Sequence, residues 1–331
     1  MTAIAGVHMK RPNQTLLLIA LCLFGAARAA FADWPERPVK LVVPYVPGAM
    51  GDLVSRIVSE GLRTELGQTF LIDNRPGGGG NIGARAVEQS PADGYTFLVA
   101  PTNNLVINQF LYKDLGFDPL KRFDPVTIMI DAPSVLFVPA AIPVKTFREF
   151  TAWAQANPGK VNYGSPGSGS PPHLYAEAIN KAFRLDMTHI PYKGATQVVG
   201  ALLANDVQFY LAGAGVGLPQ VKEGRLRASA IAQPSRNELL PDTPTFEEAG
   251  LKGINASTWW GIVAPKGTPA AVLTRMQASL CKVIADKTVR ARLVQLGNVP
   301  ICNTPSEMAR QLEQEAAYWQ RTLPGLGVKV D

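Results

Sequence analysis

The stretch Val42-Val43-Pro44-Tyr45-Val46-Pro47-Gly48-Ala49-Met50-Gly51-Asp52, with Arg56 one turn beyond it, decides how this chain folds. An apolar run over residues 39–46 stops at a Pro-Gly turn and passes directly into a helical pattern of Leu53, Ile57, Val58, Leu62 and Leu66. A short β-rich run bounded by turn residues reads as a strand, and apolar residues spaced by three and four read as one face of a helix. A strand that turns tightly into a helix leaves the first N–H groups of that helix without intrahelical partners, facing any incoming anion. Asp52 stands where an N-cap is expected.

The same alternation continues outward. Strand patterns fall at 39–46, 69–74, 95–100, 126–130, 135–139, 161–164, 188–191, 208–212, 227–232 and 259–264. Helical patterns fall at 53–66, 82–89, 147–156, 173–183, 197–204, 270–285 and 306–321. This order predicts an α/β fold with mainly parallel sheets flanked by helices. Asp131-Ala132-Pro133 and Gly250-Leu251-Lys252-Gly253 read as two crossings between lobes. They predict a discontinuous first lobe (33–133 and 255–331) and an inserted second lobe (134–254), joined by a hinge suited to closing on a ligand.

Residues 1–32 read as a leader outside this fold. Lys10 and Arg11 form a positive n-region, 16–27 is an apolar h-region, and Ala30-Phe31-Ala32 supplies small residues for cleavage after Ala32. The apolar core is too short for a membrane span, and no later segment approaches the ~20 apolar residues that a span needs. Removing the leader takes away Lys10, Arg11 and Arg28. The 32 basic against 26 acidic side chains then become 29 against 26, a net charge of +3. So mild and scattered an excess gives no nucleic-acid or membrane surface. Cys281 and Cys302 remain, 21 positions apart, a candidate disulfide in an oxidising compartment; two buried thiols are the alternative.

Gly78-Gly79-Gly80-Asn81-Ile82-Gly83 matches a dinucleotide fingerprint, but the next strand ends Val99-Ala100-Pro101 with no acid for a ribose, so it reads as a glycine-rich turn and no cofactor is expected. The loop Gly164-Ser165-Pro166-Gly167-Ser168-Gly169-Ser170 delivers N–H and O–H donors to a helix start near Pro171. A serine hydrolase would need a base there; none of these serines sits in a nucleophile elbow, and His173 lies at the helix start. The His and Cys residues have no metal-ligand spacing. Thr102-Asn103-Asn104 is a polar loop at a strand end. Tyr192 and Lys193 read either as a pocket wall with an acid-binding amine or as an ordinary loop. Of Trp259 and Trp260, one reads as core and the other as near the cleft. Polar or small residues recur at strand ends that meet helix N-termini, and open α/β sheets bind ligands there.

Trp34-Pro35-Glu36-Arg37-Pro38, Val42-Val43-Pro44-Tyr45, Pro47-Gly48, Asp52 and Arg56 together resemble the start of the Bug (TctC-like) family, the periplasmic solute-binding proteins of tripartite tricarboxylate transport. The resemblance continues through 73–83, 91–96, Tyr163-Gly164-Ser165, Gly167-Ser168-Gly169, Pro191-Tyr192-Lys193-Gly194, Pro241-Asp242-Thr243-Pro244 and Trp260-Gly261, and so spans the mature chain. It implies a two-lobed periplasmic binding protein of type II-like architecture, with a carboxylate held in the interlobe cleft largely by backbone amides. Carried over by position, the ligand loop is Tyr45, Pro47, Gly48, Ala49 and Asp52; Ser165, Gly167 and Ser168 face it, with Thr102 and Asn103 near. Ala49 departs from a second glycine in the family pattern, so its β-carbon is expected to narrow the pocket or to bar a positive φ. Gln208 replaces an acid common there. Asp52 is read as a helix cap rather than a direct contact, and Arg56 as its partner or an acid contact.

The expected function is capture of a small organic acid or amino acid for delivery to membrane permease subunits, by a periplasmic monomer that uses no metal and binds no nucleic acid. The alternatives are a ligand-loaded sensor partner and an α/β esterase using a serine of 165–170.

Overall fold

The computed structural model describes residues 34–254, 256–328 and 330. The expected leader and its cleavage site lie outside them.

Strand β1 (Val39–Val43) runs parallel between β2 (Phe70–Asn74) and β3 (Thr96–Pro101). Parallel neighbours need crossovers, which α1 (Met50–Leu66) and α2 (Asn81–Glu88) supply. The rest of this sheet is antiparallel: β3 pairs with β9 (Ser257–Pro265), β9 with β4 (Phe123–Pro139), and β4 with β10 (Val299–Pro300). From Ser134 onward the partners of β4 change to β7 (Tyr210–Gly213) and β8 (Leu226–Ile231), both antiparallel. Beside them, β5 (Asn162–Ser165) and β6 (Thr188–Pro191) form a parallel pair, linked to the second sheet by a bridge between Tyr163 and Phe209.

The fold is thus α/β with mixed sheets, where mainly parallel ones were expected. The difference lies in β4. The patterns at 126–130 and 135–139 are one strand, because Ala132 and Pro133 stay paired with Thr258 and Ser257. Pro133 has no N–H, and it sits where the strand changes partners, a position at which a missing donor is tolerated.

Absent from the sequence reading are α8 (Ala214–Lys222), α10 (Lys287–Gln295) and the short helices α3 (Asn108–Leu111) and α4 (Pro119–Arg122). The first contains Gly215, Gly217 and Pro219, all poor helix formers. Packing overrides propensity there: a β-carbon at Gly217 would lie 2.6 Å from the Phe137 ring, so the helix docks on β4 only with glycine at that position.

Helix α1 begins three residues earlier than its apolar pattern, and this corrects the role expected of Asp52. The N-cap is Ala49, in extended backbone and without a side-chain acceptor. Asp52 lies inside the first turn, 2% exposed. Its Oδ2 accepts from Gly48 N–H at 2.9 Å and Arg56 Nε at 2.9 Å, and its Oδ1 from Arg56 Nη2 at 3.0 Å. The carboxylate therefore pins the Pro47-Gly48 turn to the helix it precedes. The Arg56 guanidinium holds its pKa below the usual carboxylate range, against the opposing effect of burial. Behind this turn α1 buries Val54, Ile57, Val58 and Leu62, each worth roughly 1.5–3 kcal/mol of transfer free energy.

Cys281, in α9 (Ala270–Ala285), is bonded to Cys302, with Cα atoms 5.4 Å apart. The bond ties α9 to the segment leading into α11 (Pro305–Leu326).

Replacing both cysteines by alanine is expected to cost about 3 kcal/mol, from the loop that the bridge closes. That corresponds to a fall in Tm of roughly 5–10 °C in a chain of this size; equal melting of the two proteins would contradict it. Asp52→Asn is expected to cost about 1–3 kcal/mol at neutral pH. Because folding depresses this carboxyl, its contribution is complete above the ordinary carboxylate range near pH ~4 and is lost as pH falls through the depressed value. Urea unfolding at a series of pH values should show wild type and variant converging only below pH ~4.

Candidate functional site

The carboxyl ends of β1, β3 and β7 open on one cavity of about 530 Å³ between the two sheets. Tyr45, Ala49, Met50 and Trp260 line it on the side of the first sheet, and the 166–172 loop, Lys193, Tyr210 and Val216 on the side of the second. Ala132 and Ser134, on either side of the partner change in β4, form part of its wall.

Four helices start at this cavity: α1 at Ala49-Met50, α6 (Pro171–Phe183) at Ser170-Pro171, α7 (Ala195–Ala204) at Gly194-Ala195, and α8 at Gly213. None of their N-caps uses a side chain to satisfy the first turn. Of the helices that begin elsewhere, α4, α5 (Phe147–Gln155), α10 and α11 do, through Asp118, Thr146, Asp286 and Thr304, whereas α2 and α9 follow Gly80 and Pro269 without a side-chain acceptor. Since α6 opens with two prolines, the free donors come chiefly from α1, α7 and α8. Each such terminus carries roughly half a positive charge and unpaired N–H groups. No Asp or Glu is among the lining residues, and their single cation, Lys193, is exposed at the rim. The arrangement suits an anion.

Packing holds this surface in place. The Trp260 ring meets the start of α1 so closely that a β-carbon at Gly51 would lie 2.2 Å from it. Tyr45 stands edge-on to Trp260 at 5.6 Å. Its hydroxyl lies 3.0 Å from Asn104 Oδ1 and accepts from Asn103 Nδ2 at 2.8 Å. Burial pushes the Tyr45 phenol up, so it stays protonated.

The 165–173 loop is braced from below. His173 Nδ1 accepts from Gly169 N–H at 2.9 Å, and Ser165 Oγ lies 2.7 Å from His189 Nε2. The two imidazoles stack at 3.7 Å, with Tyr163 against His189. Burial lowers both histidines, His173 to about 4, so both are neutral at physiological pH.

Of the residues singled out in the sequence, Tyr45, Ala49, Asn103, Gly167, Ser168 and Lys193 line the cavity. Pro47 and Gly48 are exposed in the turn before α1, and Asp52 is buried behind it. The buried Thr102 accepts from Trp259 N–H at 3.2 Å. Ser165 is fully buried, with its hydroxyl also 2.9 Å from the Gly167 carbonyl. Tyr192 packs against the core beneath α7. Ala49 has φ −69°, so its β-carbon strains nothing, and Arg56 is taken up by Asp52. Trp259 is the core tryptophan, its indole N–H bonded to Glu315, and Trp260 is the one at the cavity. Sequence reading missed Ser134, Asn108, Tyr112, Tyr210 and Thr258 at the cavity. Asn108 gave no signal in the sequence: it stands one position past a π-helical turn over Asn103–Ile107, which carries it to the cavity wall. Among the described residues no three His, Cys, Asp or Glu side chains gather as a metal site, and no helix is long and apolar enough to cross a membrane.

The family model of the tripartite tricarboxylate transporter family receptor (TctC) matches residues 54–327. BugT of Bordetella pertussis is 30% identical over 324 residues, which cover 96% of this chain and 99% of BugT. Among solved structures, R. palustris Rpa4515 with adipate is 31% identical with a TM-score of 0.80, covering 89% of this chain and 99% of that one. MatC from Rhodopseudomonas palustris with bound malate is 28% identical with a TM-score of 0.76, covering 87% and 99%. With this fold, this cavity and a family match over most of its length, the chain belongs to the receptors of the tripartite tricarboxylate transporter family, the TctC or Bug proteins.

Proposed function

We propose that the protein captures a small organic carboxylate in this cavity and hands it to the membrane subunits of a tripartite tricarboxylate-type permease. The observation that carries the reading is the convergence of side-chain-free helix N-termini on a cavity lined by no acid. Backbone donors fixed by the fold meet a carboxylate without the entropy cost of ordering long cationic side chains. Relatives with adipate and with malate bound support the same chemistry.

In this reading the lobes are residues 33–133 with 255–331 and residues 134–254. They close on the ligand about the partner change in β4 and the entry to β9. Export follows cleavage after Ala32 and the working form is a periplasmic monomer. Capture and release are its whole task. The esterase alternative would need a serine of 165–170 at the cavity with a base beside it. Ser165, the one bonded to a histidine, is buried, while Ser168 and Ser170 line the cavity and, among the described residues, have no histidine as a hydrogen-bond partner.

Ligand-stripped mature protein should be melted with a panel of acids beside their amides. An acid at ~100 times its Kd is expected to add about 2.7 kcal/mol, a rise of a few degrees, while its amide leaves Tm unchanged. Ala195→Pro removes one first-turn donor at a position where proline is well tolerated in a helix. It is expected to leave the unliganded Tm within a degree or two and to weaken the acid about tenfold, as loss of one charge-assisted bond implies. Equal shifts from acids and amides would contradict the assignment.

A further inference from the structure

Asn103 and Asn108 reach the cavity from a five-residue π-helical turn (Asn103–Ile107), in which the N–H of Asn108 donates to the carbonyl of Asn103. The i to i+5 spacing brings both side chains to one wall, a use of π-helical turns that recurs at functional sites. Both are more than nine-tenths buried, with 7% and 2% exposure.

Their amide nitrogens are committed. Nδ2 of Asn103, Asn104 and Asn108 all donate to the carbonyl of Gly79, at 3.3, 2.9 and 3.3 Å. Asn103 Nδ2 also donates to the Tyr45 hydroxyl, and Asn108 Nδ2 to Asn81 Oδ1 at 2.6 Å. A carbonyl oxygen accepts only from donors, so this hub fixes which end of each carboxamide is nitrogen. The Oδ1 atoms of Asn103 and Asn108 are what remain. Among the described residues neither has a donor in the hydrogen-bonded network, and neither is a sealed, unpaired atom. Both residues line the cavity, so it is the cavity that these acceptors face.

Two fixed acceptors repel a carboxylate oxygen and welcome a donor. An ammonium would bring a full charge to a wall that holds no Asp or Glu, whereas a hydroxyl donates without one. We infer that the bound acid is a hydroxy acid, and that Asn103 and Asn108 read its hydroxyl through their Oδ1 atoms while helix N-termini hold its carboxylate. The inference rests on the carboxylate reading above. Asn104 gives it an internal control: its nitrogen binds the same Gly79 carbonyl, but its Oδ1 lies 3.0 Å from the Tyr45 hydroxyl and is already engaged.

Calorimetric titration of the mature protein with pairs that differ by one hydroxyl tests it: succinate and malate, butyrate and 3-hydroxybutyrate, 3-phenylpropionate and 3-phenyllactate. In any pair that binds, the hydroxylated member should bind about tenfold more tightly, the ratio that one net hydrogen bond supports. Asn108→Leu and Asn103→Leu should each reduce that ratio to below about threefold while retaining the deoxy acid. Asn104→Leu should keep the ratio, which separates direct reading from a loosened network. Acids that bind with no preference for the hydroxyl, aspartate binding more tightly than malate, or Asn104→Leu erasing the preference as fully as Asn108→Leu would each overturn the inference and leave the carboxylate reading intact. If no acid in the panel binds, the carboxylate reading falls and this inference falls with it.

Discussion

From Phe123 to Pro133, β4 pairs with β9 in one sheet; from Ser134 it pairs with β7 and β8 in another, without a break in the chain. Two sheets that share one strand are held at a fixed spacing where the sharing occurs. The carboxyl ends of β1 and β3 on one side, and of β7 on the other, then face the same space. The helices that follow these strands must begin there. The cavity is a consequence of that connectivity, and its lining by helix N-termini follows from the same geometry.

An anion site made of helix termini carries a constraint that a site made of arginines does not. Its first-turn donors have to be left for the ligand, so the turn before each helix needs some other anchor. At α1 that anchor is Asp52, which takes the Gly48 N–H in place of a side-chain cap. A carboxylate inside the first turn would by itself repel an anionic ligand. The bidentate contact with Arg56 offsets that charge, and the exposed guanidinium places the compensating charge on the solvent side. At the second sheet the anchor is different. There the neutral, stacked His173 and His189 brace the loop from beneath.

Much of this was legible in the sequence, and the misses have physical causes. The apolar run into Pro47-Gly48 followed by helical spacing gave the β1–α1 pair, because both elements bury an apolar face, although β1 ends at Val43, short of 46, and α1 starts at Met50, ahead of 53. Asp52 was misplaced as the cap since apolar periodicity begins at Leu53 and says nothing of Met50 or of Gly51, which is held against the Trp260 ring. α8 was invisible because glycines and a proline hide it; its glycines are explained by close packing, Gly217 on the Phe137 ring and Gly215 on the Leu296 backbone. The strand-end loops at 102–104 and 165–170 pointed to the right region. They did not separate Asn103, which faces the cavity, from Thr102, which turns back to Trp259. That distinction depends on a π-helical turn, a geometry with no signature in local composition.

The central claim is that backbone amides at helix starts, and no cationic side chain, hold the ligand's carboxylate. Amide resonances of ¹⁵N-labelled mature protein, followed while the best-binding acid is titrated in, test this directly. Downfield movement of the amide protons of Met50, Ala195 and Ala214, saturating with the calorimetric Kd, is the expected result. Saturation of binding with these amides unmoved, and with the Lys193 ammonium shifted instead, would contradict it.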